Sequence, residues 1–183
     1  MSATSKIADP QGKALGVAIT DIDNDGWPDI VVANDSVRQS LYHNRGDGTF
    51  EDIALPAGMG YDENGKTFAG MGVDAADYDE DGYPDVFITA LSYQTYSLFH
   101  NSGDKTFTYD TNLTGVGPAT QVYSGWGTRF VDVDNDGLQT TTPAAQEYRQ
   151  GIHHGLAECG SGVRDAACGA WRGSRRFEQR RAA

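Results

Sequence analysis

Short apolar, β-branched and aromatic runs alternate along this chain with clusters of Asp, Asn, Gly and Pro. The first set is Gly16-Val17-Ala18-Ile19, Ile30-Val31-Val32-Ala33, Leu41-Tyr42-His43-Asn44 and Thr49-Phe50. The second is Gly72-Val73-Asp74-Ala75, Val86-Phe87-Ile88-Thr89, Leu98-Phe99-His100-Asn101 and Thr106-Phe107. A third opens with Gly127-Thr128-Arg129-Phe130 and then loses the pattern. Runs of this composition bounded by turn residues predict strands. Pro28 and Pro84 stand where the second strand of each set begins, a place where a missing N–H is tolerated. Each set therefore predicts four antiparallel strands joined as a meander, with Arg45-Gly46-Asp47-Gly48 and Ser102-Gly103-Asp104-Lys105 as the last tight turns. The near-continuous apolar second strands predict a sheet covered on both faces. Radial stacking of such sheets gives a β-propeller, here two full blades and the start of a third, with the Gly-rich first strands at the crowded centre.

The polar segment between the first and second strands is the most regular part of the repeat. It reads Asp21-Ile22-Asp23-Asn24-Asp25-Gly26-Trp27-Pro28-Asp29, then Asp77-Tyr78-Asp79-Glu80-Asp81-Gly82-Tyr83-Pro84-Asp85, and a third time as Asp132-Val133-Asp134-Asn135-Asp136-Gly137. The starts are 56 and 55 residues apart. That period is long beside the roughly 40–50 residues of familiar blades, and the excess falls in Leu55–Lys66 and Tyr109–Ser124, expected as loops between blades. Carboxylates at positions 1, 3, 5 and 9 concentrate negative charge in one turn, which is unfavourable without a cation. Hard oxygen donors on a flexible loop suit calcium. The expected ligands are Asp21, Asp23, Asp25, the Trp27 carbonyl and Asp29, and in the second copy Asp77, Asp79, Asp81, the Tyr83 carbonyl and Asp85. The third copy retains Asp132, Asp134 and Asp136, with the Leu138 carbonyl available, and is expected to bind weakly or not at all. Gly26 and Gly82 fall where the turn calls for positive φ. An EF-hand is excluded, because it requires Glu at position 12 between helices, where this chain has Val32 and Ile88 in apparent strands.

With loop, flanking strands and turn recurring in order, residues 12–139 resemble FG-GAP or VCBS-type repeats, the blades of integrin α-like propellers. The turn element ending in Thr-Phe is similar to that of cartilage acidic protein-like bacterial secreted proteins. The resemblance implies calcium in the loops, an extracellular or periplasmic setting, and binding of a protein or glycan rather than catalysis. An alternative is a non-catalytic support domain of a larger secreted enzyme. Two or three blades do not close a ring, so the resemblance further predicts an oligomer or a part of a longer chain.

Charge divides the chain. Residues 1–139 carry 7 Lys and Arg against 22 Asp and Glu, whereas residues 140–183 carry 7 Arg against 4 acids. A net charge of −12 argues against nucleic acid. Met1–Gln11 is a lead-in without an apolar core of signal-peptide length, so an export signal would lie outside this sequence, and no transmembrane run is present. After Gly137 the repeat fails: Thr140 replaces the fourth carboxylate, and Thr141-Thr142-Pro143-Ala144-Ala145 replaces the β run. The local signals there are helical, with Thr142 as cap, Pro143 in the first turn and Gly151 as stop. Residues 140–183 are thus an atypical tail, either foreign to the repeat (through a shifted reading frame, or disordered) or a genuine extension. Cys159 and Cys168 both lie in it and leave the redox compartment open.

Other candidates have simpler explanations. Arg45-Gly46-Asp47 spells an adhesion tripeptide but is explained as a hairpin turn. His43 and His100 occupy matching sites and are expected to serve packing or hydrogen bonding, since no converging zinc ligands are visible. His153-His154 lies in the tail without companions. Asn34-Asp35-Ser36 and Asn112-Leu113-Thr114 are glycosylation acceptors only in a eukaryotic secretory host. Trp27, Tyr83, Tyr93, Tyr96, Tyr123 and Trp126 are expected to pack between blades, or else to line a ligand surface. No nucleophile–base arrangement emerges.

Overall fold

The computed structural model describes residues 2–132 and, as backbone, the strands 140–141, 144–149 and 152–153. Apart from a single turn of helix, α1 (Ser2–Ser5), the chain opens with β1 (Ala14–Thr20), β2 (Asp29–Asn34), β3 (Ser40–Asn44) and β4 (Phe50–Asp52). These form one antiparallel sheet in chain order. The unit recurs as β5 (Val73–Ala76), β6 (Asp85–Ile88), β7 (Ser97–Asn101) and β8 (Phe107–Tyr109), again in order. The protein is all-β, with two four-stranded propeller blades side by side and no closed ring among the described residues.

Register is repeated as well as strand order. Thr20 faces Asp29, and Ala76 faces Asp85, so each acidic loop is held by the same pair of strand ends. A third unit begins with β9 (Tyr123–Gly127) and β10 (Phe130–Val131), followed by β11 (Thr140–Thr141), β12 (Ala144–Arg149) and β13 (Ile152–His153). Val131 faces Thr140, which is the same register with Thr in place of Asp. Gly127 then faces Ala144, as Gly16 faces Ala33. The helical signals at Thr142–Gly151 are therefore overridden: Ala144–Arg149 is a strand, because the free edge of β9 supplies a complete ladder that a lone short helix cannot match. Thr142, Pro143, Gly151, Cys159, Cys168 and His154 lie outside the described residues.

The blades meet along their first strands. A Cβ built on Gly16 would fall 2.5 Å from the Met71 carbonyl, and one on Gly72 would fall 2.7 Å from Gly127 Cα. Only glycine permits that approach, as the Gly-rich first strands predict. Between the blades, the Ser36 N–H donates to the Phe68 carbonyl (3.2 Å) and the Gly70 N–H to the Asn34 carbonyl (2.9 Å). The core includes Ile22, Val31 and Leu41 from the first blade and Val86, Phe87, Ile88, Leu98 and Phe99 from the second. Phe87 meets Phe130 of the third unit and Tyr96 edge-on. Every residue of β6 is buried, whereas β2 alternates and β1 leaves Leu15, Val17 and Ile19 exposed. Two-sided burial thus holds for the second blade and not for the first, which among the described residues has a neighbour on one side only.

One connection departs from the sequence reading. Tyr109–Ser124 is more than a loop: it contains α2 (Val116–Thr120), whose Thr120 hydroxyl donates to the Val116 carbonyl (2.8 Å) and accepts from the Tyr96 N–H (3.1 Å). Tyr96 is buried beneath that turn, and a Cβ on Gly125 of the third unit would fall 2.7 Å from its hydroxyl, so it packs between blades as expected. No helix of the described residues is long and apolar enough to cross a membrane.

Candidate metal centre

The first two acidic loops are each shaped by their own carboxylates. Asp21 accepts the N–H groups of Asp25 (3.1 Å) and Gly26 (2.8 Å), and Asp25 accepts that of Trp27 (2.8 Å). The second loop repeats this set with Asp77 accepting from Asp81 (3.1 Å) and Gly82 (2.8 Å), and Asp81 from Tyr83 (2.9 Å). Gly26 (φ 89°) and Gly82 (φ 94°) adopt the positive φ expected of them. Position 4 adopts it too, as Asn24 (φ 58°) and Glu80 (φ 65°). The turn that results brings carboxylate oxygens of Asp21, Asp23 and Asp25 within 4.8 Å of one another, and likewise those of Asp77, Asp79 and Asp81.

The ninth-position carboxylates sit deeper. Asp29 is fully buried and accepts three hydrogen bonds: from the Ile22 N–H (3.0 Å), the Asn44 N–H (2.7 Å) and His43 Nδ1 (3.0 Å). Asp85 does the same with Tyr78 (3.0 Å), Asn101 (2.8 Å) and His100 Nδ1 (3.1 Å). Of about four acceptor positions on a carboxylate, one takes an N–H of the loop itself and two take donors of β3 or β7, which ties loop to strand. Burial pushes the Asp85 carboxyl up to about 6, against the opposing pull of those N–H donors. Burial likewise raises Asp29 and Asp79.

His43 and His100, expected to serve packing or hydrogen bonding, do hydrogen-bond, and they converge on these groups. His43 lies with Asp23 and Asp29, and His100 with Asp79 and Asp85, each set having potential ligand atoms within 4.8 Å. The recurrence of a histidine 14 or 15 residues after the ninth-position aspartate is the signal in the sequence; that β3 and β7 run beneath their loops is not contained in it. Asn101 was also overlooked. Its side-chain amide donates to the carbonyls of Ile22 (2.8 Å) and Pro84 (3.1 Å), joining β7 to both loops. Asn24 in turn donates to the Gly82 carbonyl (3.0 Å).

The chemistry of the donor set suits a hard cation, and one atom asks for a partner. Asp23 Oδ1 is buried with no hydrogen bond, on a side chain only 7% exposed. A buried unpaired carboxylate oxygen is costly unless a cation completes it. Of the third loop, Asp132 is described and exposed, while Asp134, Asp136 and Leu138 lie outside the described residues.

Trp27, although 51% exposed, and Tyr83 each lie against a turn of their own blade rather than between blades. A Cβ on Gly46 would fall 2.9 Å from the Trp27 indole nitrogen, and one on Gly103 would fall 2.7 Å from the Tyr83 ring. Tyr93 and Trp126 are exposed. The Arg45-Gly46-Asp47 turn is internally satisfied: Arg45 pairs with Glu51 (2.6 Å), and Asp47 accepts from the Thr49 N–H (2.9 Å).

A family model described as an FG-GAP-like repeat matches residues 21–88 and again residues 77–139. Both matches begin at the first aspartate of an acidic loop. Among curated proteins no match is found.

Proposed function

The chain belongs to the FG-GAP-like repeat family, and from that premise we propose that it is an extracytoplasmic calcium-binding propeller module that presents a surface to a protein or glycan. Calcium is structural in this reading. Asp21, Asp23 and Asp25, with the Trp27 carbonyl and the remaining lone pair of Asp29, would hold one ion. Asp77, Asp79, Asp81, Tyr83 and Asp85 would hold another, and Asp132, Asp134 and Asp136 a weaker third. The bound ion supplies a positive charge that offsets carboxylate repulsion. The observation that carries the reading is the buried, unpartnered Asp23 Oδ1 inside a cluster of converging carboxylates.

A binding rather than catalytic role follows from what the acids already do. Asp21, Asp25, Asp29 and their counterparts accept backbone N–H groups and hold the loop's shape. An extracytoplasmic setting fits the affinity of such sites, roughly 0.1–1 mM in extracellular modules, because calcium reaches those levels only outside the cytosol.

Thermal melting tests the proposal. Calcium about 100-fold above its dissociation constant stabilises the folded state by about 3 kcal/mol, a rise in Tm on the order of 10 °C for a chain of this size. Chelator is expected to remove the rise, and the Asp21→Ala, Asp77→Ala double variant to lack most of it. A wild-type melt indifferent to both calcium and chelator eliminates the reading.

A further inference from the structure

We propose that Lys105 is a built-in cation of the first acidic loop, delivered by the second blade, so that the two loops take up calcium unequally and the second fills first. The inference rests on the reading of the loops as calcium sites and adds to it a residue outside the loop motif.

Lys105 closes the β7–β8 turn of the second blade. Its Nζ lies 2.7 Å from Asp23 Oδ2 and 3.0 Å from His43 Nε2, both in the first blade. An ammonium only donates, so His43 Nε2 must accept, which puts the imidazole proton on Nδ1, facing Asp29 Oδ1 at 3.0 Å. Lys105, His43 and Asp29 thus form one chain of hydrogen bonds beneath the first loop. Burial pushes the Asp23 carboxyl up, but the hydrogen bond and charge of Lys105 hold it below the usual carboxylate range. Its counterpart Asp79 is raised.

Two observations indicate that this placement is built. Lys105 has φ 67°, and the first blade carries Gly48 (φ 84°) at the same point of its turn. A left-handed backbone favours glycine, so lysine stands there against local preference. The element that carries it is also anchored: Asn101 on β7 donates to the Ile22 carbonyl at 2.8 Å, fixing β7 against the loop that Lys105 enters. The second loop is arranged differently. Among the described residues, the ion-pair partner at Asp79 and Asp81 is His100, at 3.4 and 4.0 Å. Asp79 and Asp81 are also more open, with side chains 36% and 35% exposed against 7% for Asp23.

A calcium ion entering the first loop must either displace the ammonium from Asp23 or share the carboxylate with it, and the two like charges repel. Lys105 is thus expected to weaken the first site while keeping the loop folded when calcium is absent.

Calorimetric titration of the full-length chain with calcium chloride tests this. In an Asp77→Asn, Asp79→Asn, Asp132→Asn, Asp134→Asn background, which leaves the first loop as the acceptor, Lys105→Gly is expected to tighten calcium binding by at least about fivefold. Lys105→Gln, which keeps a side chain at the strained position, should do the same, and Lys105→Arg should leave the affinity low. Unchanged or weaker binding in both neutral variants, with the second loop of the parent chain still binding calcium, overturns the role of Lys105 and leaves the calcium sites standing. No uptake by any chain, parent included, overturns both.

Discussion

Asp29 and Asp85 each tie three partners together, and this double use sets the character of the loops at the scale of single residues. Their carboxylates accept from the loop itself, through Ile22 or Tyr78, and from the neighbouring strand, through Asn44 or Asn101. A residue that the spacing marks as the closing ligand is thus also the strut that holds its loop in place. Position 4 illustrates a different constraint. Asn24 and Glu80 both lie at positive φ, but asparagine accepts that conformation far more readily than glutamate. Glu80→Asn is therefore expected to stabilise the protein by about 0.5–1 kcal/mol, with the denaturant midpoint rising in calcium-free and calcium-containing buffer alike. An unchanged or lower midpoint contradicts that account.

At the scale of elements, the turns and linkers are held by side chains that do not belong to the repeat's acidic signature. The aromatic residue at position 7 of the first two loops lies against the glycine of its own blade's last turn, so loop and turn form one end of the blade. On the other side, Arg38 in the β2–β3 linker forms a bidentate pair with Asp52 at the end of β4, one of its bonds being Nη1 to Oδ1 at 3.1 Å. Burial raises the Asp52 carboxyl, but the Arg38 hydrogen bonds and charge outweigh it and leave the group below the usual carboxylate range. A depressed carboxylate contributes stability above its unfolded pKa and loses it as pH falls through the folded value. Asp52→Asn is expected to cost about 1 kcal/mol at neutral pH, the discount appropriate to a partly exposed pair. The difference from wild type should close as the pH is lowered below the normal aspartate range. Equal differences at pH 7 and at pH 3 rule out the pair as the cause.

The whole molecule has one face of unusual composition. Leu15, Val17 and Ile19 on β1 are 58%, 57% and 70% exposed, in line with one another on the pleat. Their counterparts 56 residues on are Met71, Val73 and Ala75, and the first two are only 5% and 9% exposed because the first blade covers them. Ile30 and Val32, opposite Ile19 and Val17, widen the strip. An apolar sheet face of this kind calls for another blade. Sedimentation velocity in calcium is expected to show concentration-dependent association of this chain, and a Val17→Lys, Ile19→Lys variant to return it to monomer. A wild-type chain that stays monomeric at all concentrations and melts cooperatively contradicts this.

The local features were legible in the residues themselves. Alternation of apolar runs with Asp, Gly and Pro specifies strands and turns because it acts over a few residues, and the 56- and 55-residue spacing specifies that the unit repeats. The acidic loops, Gly26 and Gly82 were readable for the same reason: carboxylates at alternate positions around a glycine impose one turn wherever they occur. Contacts between distant segments were not readable. That His43 and His100 lie under Asp29 and Asp85, and that Asn101 reaches Ile22 from 79 residues away, depends on how strands stack. The conversion of Ala144–Arg149 from a helical signal to a strand depends on an open edge of β9, which no local pattern contains. Lys105 is the clearest instance. In sequence it is a turn residue facing solvent, and only the docking of one blade on the next, through backbones kept close by glycine, carries its charge into the loop of the other.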